Sequence, residues 1–290
     1  SEIKRKNLKI SKMVSSVESA VDNIDWLLNW SVENPEYIYP IMEEFVKSNP
    51  DIQGCAYAFT PHYFPDKGVW YEPYVRRDTN DSFIRMQIAD SSHDYLNMTW
   101  YKEGLTADNG RWTEPYIDND GAQGMICTYC FPVRNAKGEV VAVFGADLSL
   151  NWLTDEFVTE QNTKSYAFIV SREGRILACP DKSKIMNYTL DDADSDFQDT
   201  TIRSVNKAML AGESGKAEVK DNNNELAYMY YSPVGGRTGW SMAILYPDRV
   251  IYKGLRSIAL KLGVLMLFGL ALMVYIMWRT VRGFRRLQTV

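Results

Sequence analysis

The stretch Met125-Ile-Cys-Thr-Tyr-Cys-Phe-Pro-Val133 is followed by Asn135-Ala-Lys-Gly138 and then by Glu139-Val-Val-Ala-Val-Phe-Gly-Ala-Asp-Leu148. The two outer segments are rich in β-branched and aromatic residues, which favour strands. The Lys-Gly pair between them is typical of a tight turn. The sequence therefore predicts an antiparallel hairpin here and a fold built on sheets.

Before this hairpin, residues 3–31 predict one long amphipathic helix, and a second, short helix is predicted from Pro40 to Lys47. An apolar stripe with this spacing favours a parallel homodimer, although packing against the chain's own sheets would need the same stripe. The stripe steps by three and four through Ile10, Met13, Val17, Ala20, Ile24 and Leu27 and is widened by Val14, Val21 and Leu28.

The rest of the chain alternates predicted strands with helices and loops. We expect a polar, loop-rich stretch over 76–124, an acidic loop over 191–196, and helices over 151–161 and 200–211. Period-two patterns predict strands over 54–59, 69–75, 125–133, 139–148, 166–170, 176–179, 214–220, 225–232 and 240–245. These elements predict an α+β fold with two antiparallel-sheet modules in tandem on one long helix.

The apolar run Leu262–Trp278 contains no charged residue. Extended back to Ile258, it has the ~20 residues that a transmembrane helix needs. Four arginines follow in residues 279–290, which favours a cytoplasmic C-terminus. We therefore expect a piece of a larger membrane protein. Its expected parts are stalk helices (1–50), a membrane-distal module (51–150), a membrane-proximal module (151–250), a transmembrane helix (258–278) and the start of a cytoplasmic linker (279–290).

Composition and motifs exclude several functions. The net charge of −5 argues against nucleic-acid binding. With only two histidines and no nucleophile elbow, zinc motif or phosphate loop, we expect no enzymatic activity, metal or cofactor in these residues. Cys127 and Cys130 would point to opposite faces of a strand. We therefore expect core thiols, with a cross-strand disulfide involving Cys55 as the alternative.

The segments Trp112-Thr-Glu-Pro-Tyr-Ile-Asp118, Met125-Ile-Cys-Thr128, Phe131-Pro-Val133 and Phe144-Gly-Ala-Asp-Leu-Ser149 resemble the membrane-distal module of double Cache sensors. The proximal module is matched by its ending, Thr238-Gly-Trp-Ser-Met-Ala-Ile-Leu-Tyr-Pro247, which is similar to the close of that family's second module. The tail Val281-Arg-Gly-Phe-Arg-Arg-Leu287 resembles the start of a HAMP linker.

This resemblance implies two PAS-like (Cache) modules that lie outside the cytoplasm, in the periplasm of a bacterial inner-membrane receptor. It also implies a first membrane span before Ser1 and an output domain beyond Val290. In such receptors the output is a histidine kinase of a two-component system, a chemotaxis transducer, a phosphatase or a cyclase. The expected role is signal transduction by a small-molecule sensor, with binding of a protein partner as the competing role.

The resemblance also implies ligand contacts in the distal module. Many of these sensors bind amino acids through an aromatic residue, then Arg-x-Trp-Tyr, a later Tyr and a final Asp. The matching residues here are Tyr95 (or His93) as the first aromatic, Trp100, Tyr101, Tyr116 and Asp147, with Met98 where the family has Arg.

Met98 cannot bind a carboxylate, and burying an unpaired carboxylate is costly. Asp147 with surrounding aromatic rings suits a cation. We therefore expect an amine or another cationic or neutral ligand. The alternative is an amino acid or carboxylate held by an arginine from another loop: Arg76, Arg77, Arg85 or Arg111. The loop 182–199 is poor in aromatic residues, so no site is expected in the proximal module.

Overall fold

A computed structural model describes residues 2–78, 82–153, 165–197, 200–221, 224–248 and 253–287. The described helices are α1 (Glu2–Asp22), α2 (Asp25–Ser31), α3 (Ile38–Ser48), α4 (Thr99–Thr106), α5 (Leu190–Phe197), α6 (Thr200–Leu210) and α7 (Lys253–Leu287). The strands are β1 (Ile52–Phe59), β2 (Pro73–Arg77), β3 (Phe83–Gln87), β4 (Arg111–Trp112), β5 (Tyr116–Asp118), β6 (Gly124–Arg134), β7 (Val140–Ser149), β8 (Tyr166–Val170), β9 (Ile176–Ala178), β10 (Gly215–Lys220), β11 (Leu226–Pro233) and β12 (Ser241–Pro247).

The strands form two antiparallel sheets, one after the other along the chain. The first sheet has the order β3-β2-β1-β7-β6-β4, with β5 also paired to β6. The second has the order β10-β11-β12-β8-β9. The predicted hairpin forms the centre of the first sheet, where Phe131 pairs with Phe144 and Thr128 pairs with Asp147. The α+β class and the two tandem sheets predicted from sequence are confirmed.

The two faces of the first sheet have different neighbours, as the alternation of a strand requires. Tyr57 of β1 and Phe144 of β7 are buried in the cluster that also contains residues of α1, α2 and α3. Their chain neighbours Ala58 and Val143 point to the other face of the sheet and lie in a separate cluster with Trp100 of α4. The first sheet is therefore covered by the N-terminal helices on one face and by α4 on the other.

The second sheet is arranged in the same way. Ile169, Met242 and Ile244 join the cluster that contains α1. Phe168 and Ala243 face the opposite way, into a cluster with α5 and α6. Each sheet therefore turns one face towards the buried core with α1 and the other towards its own helices.

Two acidic residues one turn apart on α1 connect the sheets. Glu18 is 6% exposed; its Oε1 accepts hydrogen bonds from Nε1 of Trp112 in β4 (2.8 Å) and from the backbone N–H of Arg237 before β12 (2.6 Å). Asp22 accepts a hydrogen bond from the Tyr129 hydroxyl of β6 (2.9 Å) and forms an ion pair with the same Arg237. One turn of α1 thus binds both sheets.

The N-terminal helix differs from the prediction. The helix predicted over 3–31 is interrupted at Asn23 and Ile24, where Ile24 adopts the non-helical angles φ −110° and ψ 13°. Its buried stripe is Ile10, Val14, Val17 and Val21, which pack in the core shared with the sheets. Each such side chain contributes about 1.5–3 kcal/mol when fully buried.

Other boundaries also differ. The stretch 76–124 was expected to be mostly loop but contains β3, α4, β4 and β5, and the strand expected over 69–75 begins at Pro73. The acidic loop expected over 191–196 is wrong: it forms α5, because Thr189 and Asp192 exchange hydrogen bonds as a capping box does. Of the helix predicted over 151–161, residues 154–161 lie outside the described residues.

The four cysteines are free and buried. Cys127 lies in the cluster with α1 and Cys130 in the cluster with α4, on opposite faces of β6 as predicted. The alternative of a disulfide to Cys55 is wrong.

One described helix is long and apolar enough to cross a membrane. This candidate span is Ile258–Thr280, 23 residues of α7. Leu265 and Phe268 within it are 67% and 72% exposed, so the segment is not a core helix of the part of the chain that the structure describes.

Candidate functional site

A cavity of about 240 Å³ lies on the α4 face of the first sheet. Strand alternation places Ala56 of β1, Thr128 of β6, and Gly145 and Asp147 of β7 at its floor. Its walls come from β2, from the residues around α4, and from β5 with the loop after it. They are Glu72, Tyr74, Ile88, His93, Met98, Trp100, Tyr116, Ile117, Asp118, Asn119, Asp120 and Gly121.

Asp147 is the central polar residue of this cavity and is 5% exposed. Its carboxylate accepts hydrogen bonds from the hydroxyls of Tyr74 (2.6 Å) and Thr128 (2.7 Å). Burial removes water from the charged form and raises the pKa of Asp147 from 3.8 to about 7, against the lowering effect of these two hydrogen bonds. Near neutral pH this carboxylate is therefore balanced between its two protonation states.

A glycine allows the bond between Tyr74 and Asp147. Gly54 of β1 pairs with Asp147 in the sheet, and a Cβ at Gly54 would clash with the Tyr74 hydroxyl. The phenol of β2 therefore passes over Gly54 to reach β7. The ends of both side chains are fixed before any ligand arrives.

The second polar group of the cavity is centred on His93. Its Nδ1 lies 2.7 Å from Oδ2 of Asp120, and its Nε2 lies 3.4 Å from Oε2 of Glu72. These carboxylates, Glu72 foremost, raise the pKa of His93 to about 9, so its imidazole is protonated at neutral pH. Glu72 is 1% exposed, and its Oε2 accepts no hydrogen bond from any described residue.

The predicted site residues divide into two groups. Met98, Trp100, Tyr116 and Asp147 line the cavity. The indole N–H of Trp100 donates to the Met98 sulfur at 3.3 Å, and the Tyr116 hydroxyl lies 2.9 Å from that of Thr128, which donates to Asp147. The resemblance to the family's motif was enough to bring this group together, and their contact with a ligand stays a prediction.

Tyr95 and Tyr101 do not line the cavity. Both are buried beside Trp100, and both hydroxyls donate to the backbone oxygen of Phe59, at 2.5 Å and 3.4 Å. They hold α4 and the turn before it against β1. The wall residue contributed by this turn is His93, which the sequence had offered as the alternative to Tyr95.

Several wall residues were not predicted from the sequence, among them Glu72, Tyr74, Asp118 and Asp120. Glu72 and Tyr74 stand at or beside β2, whose start was predicted four residues too early. No local signal marks them, because Tyr74 and Asp147 are 73 positions apart in the chain.

The arginines proposed as alternative carboxylate partners are absent from the described lining of the cavity. Arg85 pairs with Glu43, Arg111 pairs with Glu103, and Arg77 donates to the backbone oxygen of Val46. Arg76 differs, because it lies two positions after Tyr74 on β2 and so on the same face of the sheet. Its Nε is buried and has no hydrogen-bond acceptor among the described residues.

Residues 38–155 match a family model described as the first PDC sensor domain of methyl-accepting chemotaxis protein-like sensors. These residues resemble the sensor modules of double Cache-type receptors. A curated relative, the methyl-accepting chemotaxis protein PctB of Pseudomonas aeruginosa, is 27% identical over 174 residues, or 59% of this chain and 24% of PctB. The chain thus spans about a quarter of the length of this relative.

Solved structures of sensor domains share the fold of this chain. The extracellular domain of mmHK1S-Z2 matches with a TM-score of 0.65, at 20% identity over 86% of this chain and 98% of that one. The periplasmic sensory domain of the Campylobacter jejuni chemoreceptor Tlp1 matches with 0.68, at 13% identity over 87% and 93%. The PctB domain in complex with L-Arg matches with 0.57, at 20% identity over 84% and 91%. The matched regions are sensor domains and not catalytic domains.

Proposed function

We propose that this sensor binds a small organic cation, such as a primary amine, in the cavity around Asp147. The observation that carries the proposal is the charge of the lining. Glu72, Asp118, Asp120 and Asp147 are carboxylic acids, and His93 is the one basic side chain among the described lining residues. His93 is already paired with two of these acids.

Asp147 and Trp100 give a cation two complementary contacts. The carboxylate provides a charge-assisted acceptor that two hydroxyls already orient. The Trp100 ring forms part of the wall, and a cation over such a ring gains roughly 0.5–2 kcal/mol. Met98 stands beside Trp100 and contributes apolar surface but no donor for a carboxylate.

The ionisation of Asp147 makes amine binding depend on pH. With a pKa of about 7, the carboxylate is mostly ionised at pH 8 and mostly protonated at pH 6. Because the cation needs the ionised form, we expect amine affinity to fall about tenfold from pH 8 to pH 6. Isothermal titration at both values measures this change. A pH-independent affinity would exclude Asp147 as the anchor.

A thermal-shift screen of the 290-residue chain in lipid nanodiscs identifies the ligand class. The probes are 2-phenylethylamine and other primary amines, L-amino acids, organic acids, nucleobases and sugars. A ligand of the folded state adds about 2.7 kcal/mol of stability at a hundredfold excess over its dissociation constant. We expect amines to raise the melting temperature of the wild type.

Asp147→Asn keeps the shape of the anchor and removes its charge, so the amine shift should disappear. Asp118→Asn removes a carboxylate at the wall without touching the anchor and should keep most of the shift. Organic acids that shift the wild type while amines do not would refute the cation proposal.

The second candidate is an α-amino acid, for which two observations speak. His93 is protonated and faces the cavity. The buried Nε of Arg76, on the same sheet face as Tyr74, has no hydrogen-bond acceptor among the described residues. The sensor domain of PctB was solved with L-Arg. If amino acids bind through Arg76, Arg76→Gln abolishes their thermal shift and leaves any shift by simple amines intact.

We also propose the receptor setting. Residues 51–150 and 151–250 form the distal and proximal modules on the periplasmic side, and α7 crosses the inner membrane so that Arg279–Val290 lies in the cytoplasm. A first span before Ser1, a parallel homodimer and a cytoplasmic output domain complete the receptor. The sheet and helices of the receptor exist in two arrangements. A ligand that binds one arrangement more tightly than the other increases the population of that arrangement. Labelling of single cysteines placed at Glu213 and Thr289 in intact cells tests the orientation, since only the first should react with an impermeant reagent.

A further inference from the structure

A second cavity of about 240 Å³ lies on the second sheet, in the module for which sequence predicted no site. Its floor is formed by Tyr166 of β8, Met229 of β11 and Leu245 of β12, which are aligned across neighbouring strands. Leu190 and Ile202, from α5 and α6, form the opposite wall. This is the sheet face turned away from α1.

The two cavities occupy corresponding places. Each sheet turns one face towards the core with α1 and carries its cavity on the face covered by its own helices. In the first sheet that position holds Asp147 and the acidic wall. In the second sheet the strands supply Phe168 and Met229 to the lining, so the floor of the second cavity is apolar.

The second cavity is partly open to solvent, but its deepest lining is buried. Phe168, Ile202 and Met229 line it and are at most 8% exposed. The small side chain of Ala193 on α5 also lines the space, so a ligand rather than a protein side chain can occupy it.

The rim of the second cavity differs in charge from the lining of the cavity around Asp147. Among the described lining residues, Lys184 and Lys220 stand there with one acid, Asp221. Lys184 Nζ lies 4.3 Å from the ring centroid of Tyr188, which also lines the cavity. Buried Asn206, 4% exposed, is the polar side chain from α6 in the lining. An apolar interior with more cations than anions at its rim favours an apolar body that ends in a carboxylate.

We propose that the second sheet binds a small apolar carboxylic acid, with its hydrocarbon part between Met229 and Ile202 and its carboxylate beside Lys184. A cavity of 150 Å³ holds benzene, so this one holds a molecule of roughly ten heavy atoms. The receptor then has two inputs of opposite charge, one on each sheet. This inference does not depend on the ligand class of the distal site.

Methionine methyl groups report the two sites separately. The 290-residue chain in nanodiscs is labelled with ¹³C at its methionine methyls and titrated with 3-phenylpropionate. Met229 lines the second cavity, Met98 lines the first, and Met242 lies on the opposite face of the second sheet. We expect the Met229 resonance to move and saturate while Met98 stays in place. A Met229 resonance that millimolar probe leaves unchanged would overturn the proposal.

Two variants locate the probe. Ala193→Leu fills the cavity and should abolish the shift of the Met229 resonance. An unchanged Met242 resonance shows that the second sheet of this variant is folded. If Ala193→Leu does not fold, Ile202→Phe fills the cavity from α6 instead. Lys184→Gln should weaken 3-phenylpropionate about two- to fivefold, as for a partly exposed ion pair, and leave the neutral 3-phenylpropanol unaffected. Undiminished binding to both filled variants would place the probe elsewhere and refute the site.

Discussion

Replacing Asp147 with Asn should stabilise the protein while removing its ligand anchor. The folded protein holds the pKa of this carboxylate at about 7 rather than 3.8. Keeping the group charged above pH 7 thus costs on the order of 4 kcal/mol of folding free energy, at 1.36 kcal/mol for each pKa unit. Asn carries no charge, but its amide N–H groups find poorer partners. We therefore expect a net gain of about 3 kcal/mol at pH 8.

The stability that Asp147→Asn gains over the wild type should increase as the pH rises. Between about pH 4 and 7 the folded state holds a proton on Asp147 that the unfolded state has lost, so the stability of the wild type falls as the pH rises. Below pH 4 both states are protonated and the penalty vanishes. The advantage of Asp147→Asn should therefore be largest at pH 8 and decline by about 2–3 kcal/mol at pH 5.

Thermal unfolding followed by tryptophan fluorescence measures this effect in nanodiscs at pH 5 and pH 8. At pH 8 the variant should melt on the order of 10 °C above the wild type. Asp118→Asn serves as the control and should change the melting temperature much less than Asp147→Asn at either pH, because Asp118 is a lesser cause of the raised pKa of Asp147. A variant that is less stable than the wild type by the same amount at both values would refute the assigned burial penalty.

Two further predictions concern contacts described above. Glu72→Gln should lower the pKa of His93 from about 9 towards its ordinary value, because Glu72 is the largest cause of the increase. An NMR titration of the His93 imidazole measures this pKa. An unchanged value would contradict the ion pair between His93 and Glu72. Trp112→Phe should cost about 1–3 kcal/mol through the lost bond to Glu18. Trp240→Phe is the matched control, because Nε1 of Trp240 is buried without a described acceptor; equal costs in urea unfolding would count against the Glu18 bond.

Local patterns predicted most of the strands of the fold. The hairpin of β6 and β7 follows from alternation and a Lys-Gly turn, and the opposite directions of Cys127 and Cys130 follow from the same rule. α5 was missed because aspartate is a poor helix former. Its capping pair, Thr189 and Asp192, lies at the very start of the acidic run and was not considered.

The candidate site was predicted in part because only part of it is local. Met98, Trp100, Tyr116 and Asp147 can be aligned with a spaced motif. Glu72, by contrast, reaches the cavity through pairing between distant strands, which a single sequence does not specify. The second cavity was missed for a related reason, since its aromatic and aliphatic lining is drawn from separate elements rather than from one loop.

The turn of α1 that carries Glu18 and Asp22 and binds both sheets limits how parts of this chain can be exchanged with those of related sensors. A chimera that exchanges residues 51–150 alone would separate Trp112 and Tyr129 from Glu18 and Asp22, which also bind Arg237. A donor sheet without matching donors would leave Glu18 buried and short of partners. A chimera built as a biosensor should therefore take the N-terminal helix and both sheets together from the same protein.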